Sequence, residues 1–219
     1  MPDAVIFDLD GLLLESEQVW NASKERLTKE RGGSWRPEAE NAMLGMSSPE
    51  WSRYMHDELE VPLEPAEISA EVVRLVAESY EHELPLLPGA DEAVRRVVEH
   101  WPLGLASSSN REIIDTVLGR TGWSDLFGVT VSSEEVERGK PAPDVYLEAA
   151  ARLDAAPERC VAVEDSSAGI RSARAAGMGV VAIPNHAYPP EPEVVRGANL
   201  VLDSLHDLDA NAIERGGAA

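Results

Sequence analysis

The sequence predicts an α/β fold: a doubly wound parallel sheet with a helical segment inserted behind the first strand. Short apolar runs recur along the chain, and runs of this length are typical of strands buried on both faces of a parallel sheet. Segments with helical spacing separate most of these runs, and such alternation indicates a doubly wound domain. The predicted strands are residues 4–7, 103–106, 129–131, 161–163, 180–183 and 200–202.

Capping residues and apolar spacing predict the helices between these strands. Apolar residues recur at helical spacing over residues 90–98, just before the second strand. Asn110 is suited to cap the next helix, which we expect Gly119 to end. Helical spacing also covers residues 145–153 and 166–176, each ahead of another apolar run.

One long stretch breaks the alternation. Roughly ninety residues without a strand signal separate the first two strands, which is too long for a bare crossover. Within them, helical spacing begins near Val19, and Ser47 to Glu50 has the pattern of a capping box. A third helix is expected to open at Ser69. We therefore predict a small helical domain over residues 15–84, inserted into a core of residues 1–14 and 85–219.

Composition and charge exclude several classes of function. The 219 residues carry a formal net charge of −21, which argues against nucleic-acid binding because the phosphates would be repelled. No apolar run approaches the ~20 residues that span a bilayer, and the N-terminus lacks the layout of a signal peptide. Cys160, the only cysteine, can form no internal disulfide, which suits a reducing cytoplasm.

Side chains that could take part in catalysis or ligand binding follow four of the predicted strands. Asp8 follows the first strand and Ser107 the second, Lys140 lies in the loop after the third, and Glu164 and Asp165 follow the fourth. The carboxyl ends of parallel strands meet at one edge of the sheet, where open α/β folds bind ligands. We therefore expect these side chains to form a single site.

Each of these motifs alone has a second interpretation. The tetrapeptide 8–11, Asp-Leu-Asp-Gly, is also a common strand-ending turn. Residues 107–110 can be a turn with a helix cap, or an anion site at a helix start. Asp165 or Ser166 can cap the helix that follows, and a lone lysine such as Lys140 is normally a solvated charge. The shared sheet edge favours the functional interpretation.

The residue types at this edge indicate phosphate chemistry with a metal ion. Two acidic pairs would repel each other, and Mg²⁺ prefers a site of one or two carboxylates completed by water and phosphate oxygens. Lys140 is the only lysine outside the inserted segment, which holds Lys24 and Lys29. A point charge beside the stiff run Pro141-Ala142-Pro143 suits neutralising a phosphoryl oxygen or a nucleophile.

In this order and at these spacings, the motifs resemble the haloacid dehalogenase superfamily. The resemblance covers nearly the whole chain and rests on D-x-D-G at 8–11, Ser107, Lys140 in G-K-P-x-P, and E-D at 164–165. The inserted helices resemble the cap of the subgroup that contains β-phosphoglucomutases and small sugar-phosphate phosphatases. The resemblance therefore implies a Rossmann-like core and a helical cap with the boundaries given above.

The resemblance also implies a reaction and a role for each residue. It implies a Mg²⁺-dependent phosphatase in the cytoplasm that acts on a small phosphorylated metabolite, such as a sugar phosphate. Asp8 would attack phosphorus to form an aspartyl phosphate, and Asp10 would protonate the leaving alkoxide and then activate water. Ser107 and Lys140 would complete the catalytic set. The implied metal ligands are Asp8, Asp10, Glu164 and Asp165, and the implied substrate-binding residues are Gly11, Glu17, Ser107, Ser108, Asn110 and Lys140.

Two departures from the family pattern leave alternatives open. β-Phosphoglucomutases carry an arginine after a G-x-S segment of the cap, whereas Gly45-Met46-Ser47 is followed here by Ser48. A phosphohexomutase therefore stays an alternative to a phosphatase, and a catalytically silent binding protein is the third hypothesis. Glu15 stands where relatives usually carry aspartate. The oligomeric state stays open, and a monomer is compatible with the sequence.

Overall fold

The computed structural model describes residues 1–43 and 46–217 and divides the chain into two compact units. One unit consists of Met1–Glu15 and Pro85–Ala219, and the other of Ser16–Leu84. Gly45, which begins the G-x-S segment, lies outside the described residues. That the second unit acts as a cap stays a prediction.

The first unit is a parallel sheet with helices between its strands, which confirms the predicted α/β class. The described strands pair in the order β3-β2-β1-β4-β5-β6, and every pairing is parallel. The strands are β1 Ala4–Phe7, β2 Leu103–Ser107, β3 Phe127–Ser132, β4 Cys160–Glu164, β5 Gly179–Ala182 and β6 Leu200–Val201. The helices of this unit are α5 Ala90–Val98, α6 Arg111–Thr121, α7 Asp144–Arg152, α8 Ser167–Ala175, α9 Pro192–Val195 and α10 Ala210–Gly216.

The strand order creates a crevice between β1 and β4. The chain leaves β1 toward β2 on one side and leaves β4 toward β5 on the other, so the connections diverge at this point. Such a topological switch point is where open α/β sheets bind ligands, at the carboxyl ends of the strands. All residues of β1, β2 and β4 are buried, as the near-continuous apolar runs predict.

The helix after β2 runs further than the sequence predicts. Gly119 lies inside α6 instead of ending it, and the helix continues to Thr121. The C-cap is Gly122, whose φ of 72° is the left-handed conformation that commonly ends helices. The expectation that Gly119 ends the helix is therefore wrong.

Four helices occur in the described residues of the second unit: α1 Glu17–Glu30, α2 Ala39–Met43, α3 Ser48–Asp57 and α4 Pro65–His82. The capping box at the start of α3 is confirmed, since the Ser47 N–H donates to Glu50 Oε2 at 2.8 Å. Helix α4 begins at Pro65, not at Ser69. Proline suits this position because it has no backbone N–H, and an N–H in the first helical turn would have no partner within the helix. Among the residues described, no helix combines the length and apolar character needed to cross a membrane.

Two tryptophans and a lysine form a cluster within the second unit, in which Trp51 and Lys24 are buried and Trp20 is half-buried. The ring centroids of Trp20 and Trp51 lie 6.2 Å apart at a steep angle. The Lys24 ammonium lies 5.9 Å from the Trp20 centroid and 5.3 Å from the Trp51 centroid, within reach of a cation–π interaction. Burial lowers the pKa of Lys24, and Glu17 on the same helix acts in the opposite direction.

Candidate active site

Asp8 and Glu164 lie side by side because of the register between β1 and β4. Phe7 pairs with Val163 at the ends of these strands, and the Asp8 N–H donates to the Val163 carbonyl at 3.0 Å. The two carboxylates that follow in sequence are both buried. The sheet edge therefore holds two acidic side chains where no bulk water screens them.

Lys140 joins these two carboxylates. Its Nζ lies 2.6 Å from Asp8 Oδ1 and 2.6 Å from Glu164 Oε1, and only 4% of its side chain is exposed. Burial lowers the pKa of Lys140, but the charges of Asp8 and Glu164 outweigh it and raise that pKa above its usual value. The lysine is therefore a fixed positive charge beside Asp8.

Negative charge nevertheless exceeds positive charge at this edge. Asp8, Glu164 and Asp165 each offer a carboxylate oxygen, and these oxygens lie within 4.8 Å of one another. Burial raises the pKa of Asp8 despite the opposing effect of Lys140, and the Glu164 charge raises it further. Burial and the Glu164 charge also raise the pKa of Asp165 well above its usual range.

These acidic residues fit a hard divalent cation. Carboxylate oxygens are the ligands that Mg²⁺ and Ca²⁺ prefer. Asp165 Oδ1 and Asp10 Oδ1 are both buried, and neither has a hydrogen-bond partner among the described residues. A buried oxygen of this kind normally has a partner, so its availability here suits a metal ion or a substrate group.

Glu164 differs from Asp165 in that donors already surround it. Oε1 accepts from Lys140 at 2.6 Å and from the Tyr146 hydroxyl at 2.7 Å. Oε2 accepts from the Asp165 N–H at 3.1 Å, with longer contacts from the N–H and hydroxyl of Ser166. Both oxygens of Glu164 are therefore engaged with protein groups.

Asp10 is oriented by two serine hydroxyls from the end of β2. Ser107 Oγ donates to Asp10 Oδ2 at 3.1 Å, and Ser109 Oγ donates to the same oxygen at 2.7 Å. The Ser109 N–H in turn donates to Ser107 Oγ at 2.9 Å. Ser107 is a predicted site residue, whereas Ser109 is predicted only as part of the possible anion site at residues 107–110 and not as a partner of Asp10. Its position two residues further in the same turn is a usable signal.

Gly11 is required by the close approach of Asp165. Its φ is 84°, and a Cβ at this position would lie 2.3 Å from Asp165 Oδ2. The Asn185 side-chain amide donates to the Gly11 carbonyl at 3.2 Å and so fastens this turn from beyond β5. Asn185 is a second residue that sequence reasoning misses, although it also follows a strand.

The structure assigns no contact with Asp8 or Asp10 to three of the expected substrate-binding residues. Ser108 is exposed at the surface. The Asn110 side-chain amide donates to Glu134 Oε1 at 2.6 Å, and the residue precedes α6 without a side-chain cap bond. Glu17 lies in the first turn of α1, in the second unit. Their substrate-binding roles stay predictions.

Comparison with known proteins gives one family and several similar chains. A family model described as haloacid dehalogenase-like hydrolase matches residues 2–177. The chain is 33% identical to hexitol phosphatase B of Escherichia coli O157:H7 over 213 residues, covering 94% of both chains. It is 31% identical to a bifunctional riboflavin kinase/FMN phosphatase of Arabidopsis thaliana, covering 95% of this chain but 55% of that protein, about half its length.

Two solved structures are similar over nearly their whole length. CbbY from Rhodobacter sphaeroides in complex with phosphate superposes with a TM-score of 0.88 at 26% identity, covering 98% of this chain and 100% of that one. A β-phosphoglucomutase from Clostridium difficile superposes with a TM-score of 0.81 at 25% identity, covering 99% of this chain and 97% of that one. The same fold, at 25–26% identity, thus occurs in a phosphate-bound CbbY and in a mutase.

Proposed function

The chain belongs to the haloacid dehalogenase-like hydrolases and is a phosphoric monoester hydrolase, and we propose that it uses Mg²⁺ and Asp8 to dephosphorylate a small sugar phosphate. The main support is the position of Asp8, a buried carboxylate 2.6 Å from the Lys140 ammonium at the topological switch point. A nucleophile in this place can reach a phosphate that enters the crevice between β1 and β4.

Asp8 and Asp10 share the covalent chemistry in this proposal. An Asp8 carboxylate oxygen attacks phosphorus, the bond from phosphorus to the ester oxygen breaks, and Asp10 gives its proton to the departing alkoxide. Asp10 then takes a proton from a water that attacks the aspartyl phosphate, which releases inorganic phosphate and restores Asp8. The two serine hydroxyls occupy Asp10 Oδ2, so Oδ1 is the oxygen available to hold and transfer the proton.

Asp8, the backbone carbonyl of Asp10 and Asp165 would hold the Mg²⁺ ion, with Glu164 beside them. When bound, the ion supplies positive charge against the phosphoryl oxygens in the transition state. The unpartnered Oδ1 of Asp165 supports this role. Lys140 would hold a further phosphoryl oxygen, and Ser107 would do so by turning its single O–H away from Asp10 Oδ2, where Ser109 stays bound. The charges of Lys140 and the ion would let a chain of net charge −21 bind an anion.

A sugar phosphate is the substrate class that the relatives favour. The hexitol phosphatase shares a third of its residues with this chain over nearly the full length of both proteins. The similarity to β-phosphoglucomutase keeps a phosphohexomutase as a second candidate. The mutase moves phosphate within a hexose phosphate, so it would release little inorganic phosphate, and product analysis separates the two.

The test is a phosphate-release screen over sugar, nucleotide and glycolytic phosphate esters, with Mg²⁺ and with a chelator. We expect turnover that needs the metal and that falls at least about a thousandfold in Asp8→Asn. Asp115→Asn, which removes an exposed carboxylate on α6, is the matched control and should keep wild-type activity. Near-normal activity in Asp8→Asn would disprove the assignment of the nucleophile.

A further inference from the structure

Tyr146 is a fully buried phenol in α7 that has no part in the reaction proposed above. Its hydroxyl lies 2.7 Å from Glu164 Oε1, the same oxygen that accepts from Lys140. The Lys140 ammonium also lies 5.0 Å from the centroid of the Tyr146 ring. Tyr146 therefore contacts both members of the Lys140–Glu164 ion pair.

Hydrogen bonds hold both oxygens of the Glu164 carboxylate, and α8 packs against it. Two donors hold Oε1, and the backbone N–H of Asp165 holds Oε2. On the side of α8, a Cβ at Gly169 would lie only 1.8 Å from Glu164 Oε1, so the helix backbone packs directly against the carboxylate. Oε1 could bind a cation only by giving up its bond to Lys140 or to Tyr146, and Oε2 already accepts from the Asp165 N–H.

Asp165 offers the opposite situation. Its Oδ1 is buried and has no hydrogen-bond partner in the described part of the chain. A metal ion bound there costs the protein no existing hydrogen bond. The two adjacent acids, which the sequence alone cannot tell apart, are therefore suited to different tasks.

We propose that Tyr146 and Glu164 form a positioning pair that holds Lys140 against Asp8, and that Glu164 is not a ligand of the metal ion. This inference rests on the proposed function, because it assigns roles within the same site. In this arrangement Tyr146 acts through Glu164, and Glu164 acts through Lys140. Tyr146 is thus a positioning residue, not a catalytic one.

The first test compares Tyr146→Phe with Tyr80→Phe, which removes another fully buried phenol hydroxyl, in α4. With para-nitrophenyl phosphate as the probe, we expect kcat to fall about tenfold in Tyr146→Phe, because one hydrogen bond to a charged group is lost. KM and the Mg²⁺ concentration for half-maximal activity should stay within about twofold of wild type. Tyr80→Phe should match the wild-type kinetics.

The second test measures metal binding directly. Isothermal titration of Mg²⁺ into Glu164→Gln should give a dissociation constant within about fivefold of wild type, whereas Asp165→Asn should weaken binding at least about a hundredfold. This comparison needs no turnover, and it still applies if Tyr146→Phe does not fold.

Three results would overturn the inference. Wild-type kcat in Tyr146→Phe would remove the positioning role of the hydroxyl. A loss of Mg²⁺ affinity in Glu164→Gln as large as in Asp165→Asn would make Glu164 a ligand. A loss of activity in Tyr146→Phe that excess Mg²⁺ fully reverses would also make Glu164 a ligand. Failure of the proposed function has a different signature, namely Mg²⁺-independent turnover or full activity in Asp8→Asn.

Discussion

Replacing Gly169 by alanine tests how tightly Glu164 is confined. Alanine in place of glycine inside an exposed helix normally stabilises a protein by about 0.5–1 kcal/mol. Gly169 lies in α8, yet the added Cβ would come within 1.8 Å of Glu164 Oε1 and 1.9 Å of its Cδ. At such distances either the helix or the carboxylate must move. We therefore expect alanine to destabilise the protein here instead of stabilising it.

The size of the effect follows from what Glu164 would lose by moving. A hydrogen bond to a charged group contributes about 1.5–3 kcal/mol, and breaking a buried ion pair costs about 3–5 kcal/mol. The bonds from Lys140 and Tyr146 both end on the displaced oxygen. After subtracting the helical gain of about 1 kcal/mol, we expect Gly169→Ala to lower the free energy of unfolding by about 2–4 kcal/mol. We also expect kcat to fall at least about a hundredfold.

Gly119→Ala is the matched control for this substitution. Gly119 is exposed inside α6, and apart from its chain neighbours and the backbone of its own helix, no atom of the described residues lies within 4 Å of the position its Cβ would take. That variant should gain about 0.5–1 kcal/mol and keep wild-type activity. Urea denaturation and initial rates on both variants measure the difference. If Gly169→Ala were as stable and as active as Gly119→Ala, Glu164 would not be confined as the contacts indicate.

Three further substitutions test other parts of the first unit. Ser109→Ala removes the shorter of two hydrogen bonds to Asp10, so kcat should fall about fivefold to tenfold with KM within twofold, as initial rates will reveal. Gly11→Ala places a Cβ 2.3 Å from Asp165 at a positive φ, so calorimetry should detect weaker Mg²⁺ binding; unchanged affinity would contradict the tight turn. Burial raises the pKa of Glu135, but hydrogen bonds from two arginines and a backbone N–H lower it to about 2 from 4.5. A lowered carboxyl pKa stabilises the fold above about pH 4.5, and this stabilisation is lost as the pH falls toward 2. The unfolding free energies of wild type and Glu135→Gln should therefore converge as the pH falls. A difference that stays constant with pH would show that ionised Glu135 does not stabilise the fold.

The strands and the position of the site could be predicted because both depend on local pattern. Apolar runs of three or four residues specify parallel strands, and such strands all end at one edge. This rule alone predicts that Asp8 and Glu164 lie close together. The limits of α4 and α6 were predicted less well, since Pro65 and Gly122 determine them through cap geometry that apolar spacing does not encode.

The division of labour inside the site could not be predicted in the same way. Glu164 and Asp165 are adjacent acids after one strand, so their sequence signals are identical. Their difference comes from donors far along the chain, since Lys140 and Tyr146 stand 24 and 18 residues away from Glu164. Helical spacing predicts that Tyr146 is buried in α7 but gives no indication of which atom its hydroxyl meets.

Lys140 shows how the geometry narrows a prediction that residue type leaves open. The sequence suits this lysine either to a phosphoryl oxygen or to the nucleophile, and the ammonium lies against the nucleophile Asp8 proposed here. An ammonium has three donors. Two of them are used at 2.6 Å by Asp8 and Glu164, while the Tyr146 oxygen lies at a weak 3.5 Å. One donor can therefore turn to a phosphoryl oxygen without releasing either carboxylate, so both predicted tasks are compatible with a single placement of the side chain.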